Sequence, residues 1–189
     1  MRLAVTGSHR VGKSTLIEAL EERLAEYRVV DEPYHLLEEE GYEFASPPSL
    51  EDFLEQLRRS MELLEEEEGA RKVLFDRCPL DFLGYLLTHE DAASFDLDEW
   101  LARIRSTTRT LELVVFVPIE ERERIKLPAH EDAELRAEVD EKLAWLLLDD
   151  PFELGVEVLS VHGSTAARVT QVLDRLGRGR PRESRPRGD

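Results

Sequence analysis

Glycine, lysine and serine recur near the start of the chain in a spacing that suits the binding of a phosphate group. Residues 7–14 read GSHRVGKS, which is the pattern G-x-x-x-x-G-K-S. Side chains at Gly7 and Gly12 would obstruct a backbone whose successive N–H groups point at one anion. Lys13 adds a positive charge, and Ser14 adds a hydroxyl group for Mg2+. The pattern therefore predicts a phosphate-binding P-loop formed by Gly7, Ser8, His9, Arg10, Val11, Gly12, Lys13, Ser14 and Thr15.

Two acidic turns carry further groups that suit phosphoryl transfer. The first is the tripeptide Asp31-Glu32-Pro33, which follows a short β-rich run at residues 28–31. A carboxylate here could accept the proton of an acceptor hydroxyl, while proline restricts the outgoing backbone. The alternative is an acidic turn that only ends a strand.

The second acidic turn follows the apolar residues of the segment VLFDRCPLD. An aspartate at the end of an apolar strand is typical of a Walker-B-like site, so Asp76 could hold Mg2+ directly or through water. Arg77 could bridge to a phosphate or acceptor oxygen, and Asp81 lies close behind it. The alternative is an ion pair at a strand end. Cys78 has no histidine nearby in the sequence, which favours a packed thiol over a nucleophile.

A charged segment, EERERIK, provides the remaining candidate residues. Arg122 and Arg124 could close over the transferring phosphate and exclude water, as part of a lid at about residues 119–132. The alternative is a solvated helix face. None of the four lysines lies in the N/T-K-x-D motif that reads guanine, and the chain lacks the ABC signature and the length of a hexameric AAA+ machine.

The elements that must position these groups alternate between strands and helices. An apolar strand at residues 3–6 precedes the P-loop, and helical spacing after it predicts a helix ending near Tyr27. The next strand completes a βαβ unit, which implies a parallel sheet with ligands beyond the carboxyl ends of its strands. Residues 33–48 show no clean period. Later strands are predicted at 72–75, 113–117 and 156–161. Later helices are predicted from Ser49, which resembles a capping box with Asp52, from Pro79, from Asp96 or Asp98, from about residue 131 to Leu148, and after Ser164.

Composition limits the possible partners. The 189 residues include 42 acidic and 25 basic side chains, for a net charge of −17, which disfavours nucleic acid and anionic membranes as partners. A single cysteine excludes an internal disulfide, and neither a signal peptide nor a membrane-spanning run is recognisable, so we expect a cytoplasmic protein. Residues 177–189 hold five arginines and two acids, and we expect a flexible basic tail after one domain at 1–176.

Four motifs together resemble those of the P-loop nucleoside and nucleotide kinases. They are GSHRVGKST, the Glu-Pro after strand two, DRCPLD after strand three and FVPIEERERI after strand four. The chain is similar in particular to single-domain ATPases related to the NadR-type ribosylnicotinamide kinases. The resemblance implies a three-layer α/β fold whose five-stranded parallel sheet has the order 2-3-1-4-5. It also implies ATP on the P-loop, with adenine near Gly163, Ser164 and Thr165.

The same resemblance implies roles in an acceptor pocket. Deoxynucleoside kinases place a base-like carboxylate at the position of Glu32 and an arginine at that of Arg77, and a glutamine that reads the base maps to Gln56. Where that family typically has Glu-Arg-Ser, this chain has Asp-Arg-Cys, so a different recognition of the sugar is expected. The expected substrate-binding residues are Asp31, Glu32, Tyr34, Gln56 and Arg77.

The sequence thus predicts an ATP- and Mg2+-dependent kinase for a nucleoside, nucleotide or nicotinamide riboside-like acceptor. The expected catalytic residues are Lys13, Glu32, Arg77, Arg122 and Arg124, and the expected metal ligands are Ser14 and Asp76. Two alternatives remain open. One is a regulatory ATPase that acts on a protein partner by conformational change, and the other is a phosphotransferase for an antibiotic or another hydroxylated metabolite.

Overall fold

The computed structural model describes residues 1–120 and 133–178, which form alternating strands and helices. The strands are β1 (Arg2–Thr6), β2 (Arg28–Val30), β3 (Val73–Asp76), β4 (Leu113–Phe116) and β5 (Val158–Ser160). The helices are α1 (Lys13–Glu21), α2 (Pro33–Glu39), α3 (Leu50–Glu66), α4 (Pro79–Thr88), α5 (Leu97–Thr108), α6 (Ala133–Ala144) and α7 (Thr165–Arg178). A short 3-10 turn at Ala92–Ser94 precedes α5, and a π-helical turn at Trp145–Asp149 follows α6.

The five strands form one parallel sheet in the order β2-β3-β1-β4-β5. In the centre of the sheet, Ala4 of β1 lies opposite Phe75 of β3 and Val114 of β4. The carboxyl ends of β1, β3 and β4 therefore meet at one edge, where the P-loop and the Asp-Arg turn emerge. This arrangement confirms the predicted α/β fold and strand order.

The central strand is buried on both faces because helices cover the sheet from two sides. Successive side chains of a strand point to opposite faces. Ala4 accordingly belongs to an apolar cluster beneath α3, α4 and α6, whereas Leu3 and Val5 belong to a second cluster beneath α1 and α7. The carboxyl ends of the strands lie between these two helix layers, and the candidate site lies at those ends.

Most predicted elements are present, but some of their ends differ from the prediction. Helix α1 ends at Glu21 rather than near Tyr27, because the chain tightens into turns before Arg28 N–H pairs with Lys72 O at 2.9 Å. The predicted capping box is observed at the start of α3, where Ser49 and Asp52 exchange hydrogen bonds. The helix expected to run through Leu148 widens into the π-helical turn, which leaves Leu148 57% exposed.

Helix α2 was not predicted, because residues 33–48 show no clean period in the sequence. It forms with Pro33 in its first turn, a position that proline tolerates well. Helix α7 continues to Arg178, and residues 179–189 of the predicted tail lie outside the described residues. No helix in residues 1–120 and 133–178 is long and apolar enough to cross a membrane.

Candidate active site

The P-loop has the backbone that its glycines predict. A Cβ atom on Gly7 would lie 2.5 Å from the carbonyl oxygen of Val117, so no side chain fits between β1 and the end of β4. Gly12 adopts a φ of 91° at the N-cap of α1, in the left-handed region that glycine tolerates best. The loop therefore leads directly into the N-terminus of α1. The N-terminus of a helix is a favourable site for an anion.

Lys13 is buried and Ser14 is exposed, although the two residues are neighbours at the start of α1. The Lys13 side chain is buried, and its Nζ donates to the Ser8 carbonyl oxygen at 2.7 Å. Burial and the nearby Arg77 guanidinium lower the pKa of Lys13 to about 7. A negative phosphate beside this ammonium would favour its charged form. Ser14 is exposed in the first turn of α1, directly after Lys13.

Arg77 joins the two acidic turns to the P-loop. Its Nε donates to Glu32 Oε2 at 2.9 Å, and its Nη1 donates to the Gly7 carbonyl oxygen at 3.3 Å and to Asp81 Oδ1 at 3.2 Å. Burial would raise the pKa of Glu32, but the charge and hydrogen bond of Arg77 outweigh burial and lower it. Glu32 is therefore ionised at neutral pH, as a proton acceptor must be.

Asp81 is a fully buried carboxylate that ties these elements together. It accepts from Thr6 Oγ1 at 2.5 Å, from Gly7 N–H at 3.2 Å and from Cys78 N–H at 3.0 Å. It also completes a capping box with Cys78 at the start of α4. Cys78 is buried, and burial raises the pKa of its thiol well above the ordinary value, in keeping with a packed thiol. The sequence placed Asp81 near the Asp-Arg turn but did not predict this connection to β1.

Asp76 has the properties expected of a residue that holds a cation. Its Oδ1 is buried and has no hydrogen-bond partner among residues 1–120 and 133–178. Burial and the neighbouring Glu32 carboxylate raise the pKa of Asp76 to about 6. A divalent cation would supply the missing partner and favour the charged form, so the donor set fits Mg2+.

A cavity of about 1000 Å3 opens beside Glu32 and Arg77. Its walls come from α2, the segment before α3, α3 itself, α4 and α6. Two stacked aromatic pairs line it, with ring centroids 4.9 Å apart for Phe53 and Tyr85 and 4.4 Å apart for Tyr34 and Phe44. Such faces can pack against a flat ring of a ligand. The cavity therefore has room for an acceptor next to the Glu32 carboxylate.

The structure brings four of the five predicted substrate-binding residues to this cavity, namely Glu32, Tyr34, Gln56 and Arg77. The buried Gln56 amide donates from Nε2 to Asp52 O at 3.0 Å, which orients its side chain. Asp31 is exposed and is not among the residues that line the cavity, so the structure does not support its predicted contact with substrate. Neighbouring residues of an extended segment point to opposite sides, and it is Glu32 that turns inward.

A second cavity, of about 200 Å3, adjoins the other end of the P-loop. It lies between Gly12 and Thr15 on one side and the turn that follows β5 on the other. Two of the residues expected near adenine, Gly163 and Thr165, line it. Ser164 is exposed outside the lining, where its Oγ accepts from Ala167 N–H at 3.3 Å in the first turn of α7. Its role is therefore to cap α7 rather than to contact the cavity.

Helix α6 supplies site residues that the sequence did not predict. Arg136 is 4% exposed, lines the smaller cavity, and donates from Nε to the His9 carbonyl oxygen of the P-loop at 3.0 Å. One turn later, Asp140 accepts from Ser8 Oγ at 3.3 Å. The sequence feature that could have identified Arg136 is its position on the same helix face as Val139 and Leu143, because a charge on an apolar face needs a partner. The predicted catalytic residues Arg122 and Arg124 lie outside the described residues.

Comparison with solved structures shows where this fold occurs. The fold is similar to that of deoxyadenosine kinase from M. mycoides with bound dATP, with a TM-score of 0.66 and 14% sequence identity over 94% of this chain and 100% of that chain. It is also similar to NadR protein in complex with NAD and AMP-PNP, with a TM-score of 0.65 and 17% identity over 97% of this chain. The chain spans 51% of that NadR chain.

A further structural relative is shikimate kinase from Aquifex aeolicus vf5, with a TM-score of 0.54 and 19% identity over 94% of this chain and 96% of that chain. No curated protein sequence matches the chain significantly. A family model described as an AAA domain matches residues 2–168, which include the P-loop and both acidic turns. The chain therefore belongs to this AAA domain family, and its fold is a P-loop nucleotide kinase-like fold related to that of NadR.

Proposed function

We propose that the protein is an ATP- and Mg2+-dependent kinase that phosphorylates a hydroxyl group of a small molecule, either a nucleoside, a nucleotide or a nicotinamide riboside-like compound. The observation that carries the proposal is the Glu32–Arg77 pair. Arg77 contacts the P-loop carbonyl of Gly7, and both members of the pair line the large cavity. The pair therefore stands where a phosphate on the P-loop would meet an acceptor in the cavity.

Glu32, Arg77 and Lys13 have different parts in this reaction. The ionised Glu32 carboxylate accepts the proton of the acceptor hydroxyl as the acceptor oxygen bonds to the γ-phosphorus, while the bond from that phosphorus to the β,γ-bridging oxygen breaks and ADP leaves. Arg77 stays charged, because Tyr85, Glu32 and Asp81 outweigh its burial and raise its pKa further, and it stabilises negative charge on the transferred group. Lys13 binds the phosphates from inside the P-loop.

The Ser14 hydroxyl and the Asp76 carboxylate would hold Mg2+ beside the phosphates. When bound, Mg2+ neutralises charge on phosphate oxygens. The residues of the chain do the rest. The P-loop orients the donor, and the aromatic pairs of the large cavity orient the acceptor and reduce the access of water to it.

The structural relatives support this proposal through the ligands that they bind. A deoxyadenosine kinase binds dATP, a NadR protein binds NAD and AMP-PNP, and a shikimate kinase from Acinetobacter baumannii binds shikimate. The ligands of these proteins thus include both nucleotides and a small molecule that is not a nucleotide. In this chain, a P-loop beside a separate large cavity suits the transfer of phosphate to a small hydroxyl compound.

The test measures ADP formation from ATP and Mg2+ with a panel of nucleosides, nucleotides, nicotinamide riboside and hydroxylated antibiotics. We expect at least one compound to accelerate ADP formation and to appear as its phosphate ester by mass spectrometry. Slow hydrolysis that no compound accelerates would contradict the kinase assignment and favour a regulatory ATPase.

Two neighbouring carboxylates provide a matched pair of variants for that assay. Glu32→Gln should lower kcat by about 10²-fold to 10⁴-fold, because the amide cannot accept the proton, while the affinity for ATP changes little. Asp31→Asn, at the exposed neighbouring position, should retain wild-type turnover. If Glu32→Gln turned over the true acceptor as fast as the wild type, the assignment of the base would be wrong.

A further inference from the structure

Helix α6 contacts the P-loop through two side chains that lie one turn apart. Arg136 donates from Nε to the His9 carbonyl oxygen at 3.0 Å, and Asp140 Oδ1 accepts from Ser8 Oγ at 3.3 Å. Residues four positions apart lie on the same face of a helix. One face of α6 therefore meets two consecutive residues of the loop. Of these two contacts, that of Arg136 is with the loop backbone and that of Asp140 is with a loop side chain.

The Asp140 carboxylate is fixed by a second donor. Its Oδ1 and Oδ2 accept from Ile119 N–H, shortly after β4, at 3.2 and 3.1 Å. Burial raises the pKa of Asp140, whereas the hydrogen bonds from Ile119 and Ser8 favour the charged form and oppose that rise. The backbone donor restricts rotation of the carboxylate. Its Oδ1 is thereby held facing the P-loop.

Ser8 connects Asp140 to the P-loop lysine. Ser8 is fully buried, and its carbonyl oxygen accepts from Lys13 Nζ at 2.7 Å. The hydroxyl of Ser8 is thus held by the Asp140 carboxylate, while its carbonyl receives the Lys13 ammonium. An ammonium group has three N–H donors in a fixed geometry, so the bond to Ser8 limits where the other two can point. A shift of Ser8 would therefore change how Lys13 meets a phosphate.

We infer that Asp140 is a positioning residue for the nucleotide donor: through Ser8 it holds the part of the P-loop that receives Lys13, and it thereby strengthens the binding of phosphate. The inference rests on the proposed function, because it takes the P-loop to bind the phosphates of a nucleotide. Asp140 acts through Ser8 and does not contact the nucleotide. Such support matters because a small displacement of a group that binds a ligand weakens its interaction.

The test is a double-mutant cycle on the affinity for ADP, measured by isothermal titration calorimetry with Mg2+ and without an acceptor. Asp140→Asn should raise the Kd for ADP about fivefold, because the uncharged amide presents an N–H group to one of its two donors. Ser8→Ala should raise the Kd by about the same factor, because it removes the hydroxyl and keeps the carbonyl. The double variant should show no more than this rise of about fivefold, whereas independent effects would multiply to about 25-fold.

Asp150→Asn is the matched control. The Asp150 carboxylate also accepts from the backbone, from Leu154 N–H at 2.7 Å and from Gly155 N–H at 3.0 Å. Asp150 lies just after the π-helical turn and lines neither of the two cavities. This variant should keep the wild-type Kd for ADP, because its hydrogen bonds are remote from Ser8. It thus separates the positioning of Ser8 from a general effect of losing a buried or half-buried carboxylate.

Each outcome distinguishes this inference from the proposed function. An unchanged Kd for ADP in Asp140→Asn would overturn the inference and leave the kinase proposal intact. So would a rise of about 25-fold in the double variant, or an equal rise in Asp150→Asn. If Asp140→Asn does not fold, Ser8→Ala decides alone, and an unchanged Kd in that variant would overturn the inference. If the wild-type protein does not bind ADP, the inference and the proposed function both fail.

Discussion

Replacing Asp81 should destabilise the protein far more than replacing an ordinary helix cap. The carboxylate is fully buried and accepts from Thr6, Gly7 and Cys78 as well as from Arg77. In Asp81→Ala these donors lose their acceptor in a site where water cannot replace it. The variant therefore tests whether one side chain connects the P-loop, the Asp-Arg turn and the start of α4.

The expected magnitude follows from those contacts. A buried donor left without an acceptor costs about 1 to 3 kcal/mol, and breaking a buried ion pair by removing one partner costs about 3 to 5 kcal/mol. These costs overlap, and Arg77 keeps its contacts with Glu32 and Gly7. We therefore expect Asp81→Ala to lower the free energy of unfolding by about 3 to 5 kcal/mol, a large part of the total of a small domain.

Urea unfolding followed by circular dichroism measures this change. Asp96→Ala is the matched control, because Asp96 is an exposed aspartate that caps α5 through Asp98 N–H. Loss of that cap should cost about 1 kcal/mol. If Asp81→Ala does not fold, Asp81→Asn replaces it. The amide keeps the shape but presents N–H groups to other donors, so it should cost about 2 kcal/mol.

The comparison has a clear contrary outcome. If the loss caused by Asp81→Ala or Asp81→Asn is no larger than that caused by Asp96→Ala, the buried network does not stabilise the fold as argued. A change confined to the slope of the unfolding curve would point instead to an altered unfolded state.

Three further predictions follow from the site. Burial lowers the pKa of Lys13 from 10.5 to about 7, so the charged ammonium lowers the free energy of unfolding. This loss of stability is complete below pH 7 and decreases as the pH rises toward 10.5. Lys13→Met should therefore be more stable than the wild type at pH 7 by on the order of 2 kcal/mol, a difference that shrinks by pH 10 in thermal unfolding. Arg136→Met, which removes the donor to the P-loop carbonyl of His9, should raise the Kd for ADP about tenfold by calorimetry; an unchanged Kd would contradict a role for α6 in shaping the loop. Gly7→Ala should lower the free energy of unfolding by about 2 kcal/mol or more because its Cβ meets a backbone carbonyl, whereas Gly69→Ala meets nothing within 4 Å and tests only the cost of a positive φ.

Local patterns predicted those parts of the molecule whose physics is local. The P-loop could be predicted because its glycines, lysine and serine act within eight neighbouring positions of the chain. Helix α3 could be predicted because its capping box joins Ser49 to Asp52 over one turn. Helix α2 was missed because its seven residues are too few to show a period, and contacts with α3 hold it in place.

The amino-acid sequence was enough to predict the five strands, every long helix, the phosphate-binding loop and the two acidic turns that follow β2 and β3. Strand alternation and loop chemistry act over a few residues, so they can be recognised without the fold. Which charged groups meet depended on the tertiary structure. Glu32 turns inward and Asp31 does not, while Asp81 and Arg168 reach the P-loop across 74 and 157 positions of the chain. Burial makes those distant pairings specific, because a charge removed from water must find its partner wherever the fold brings one close.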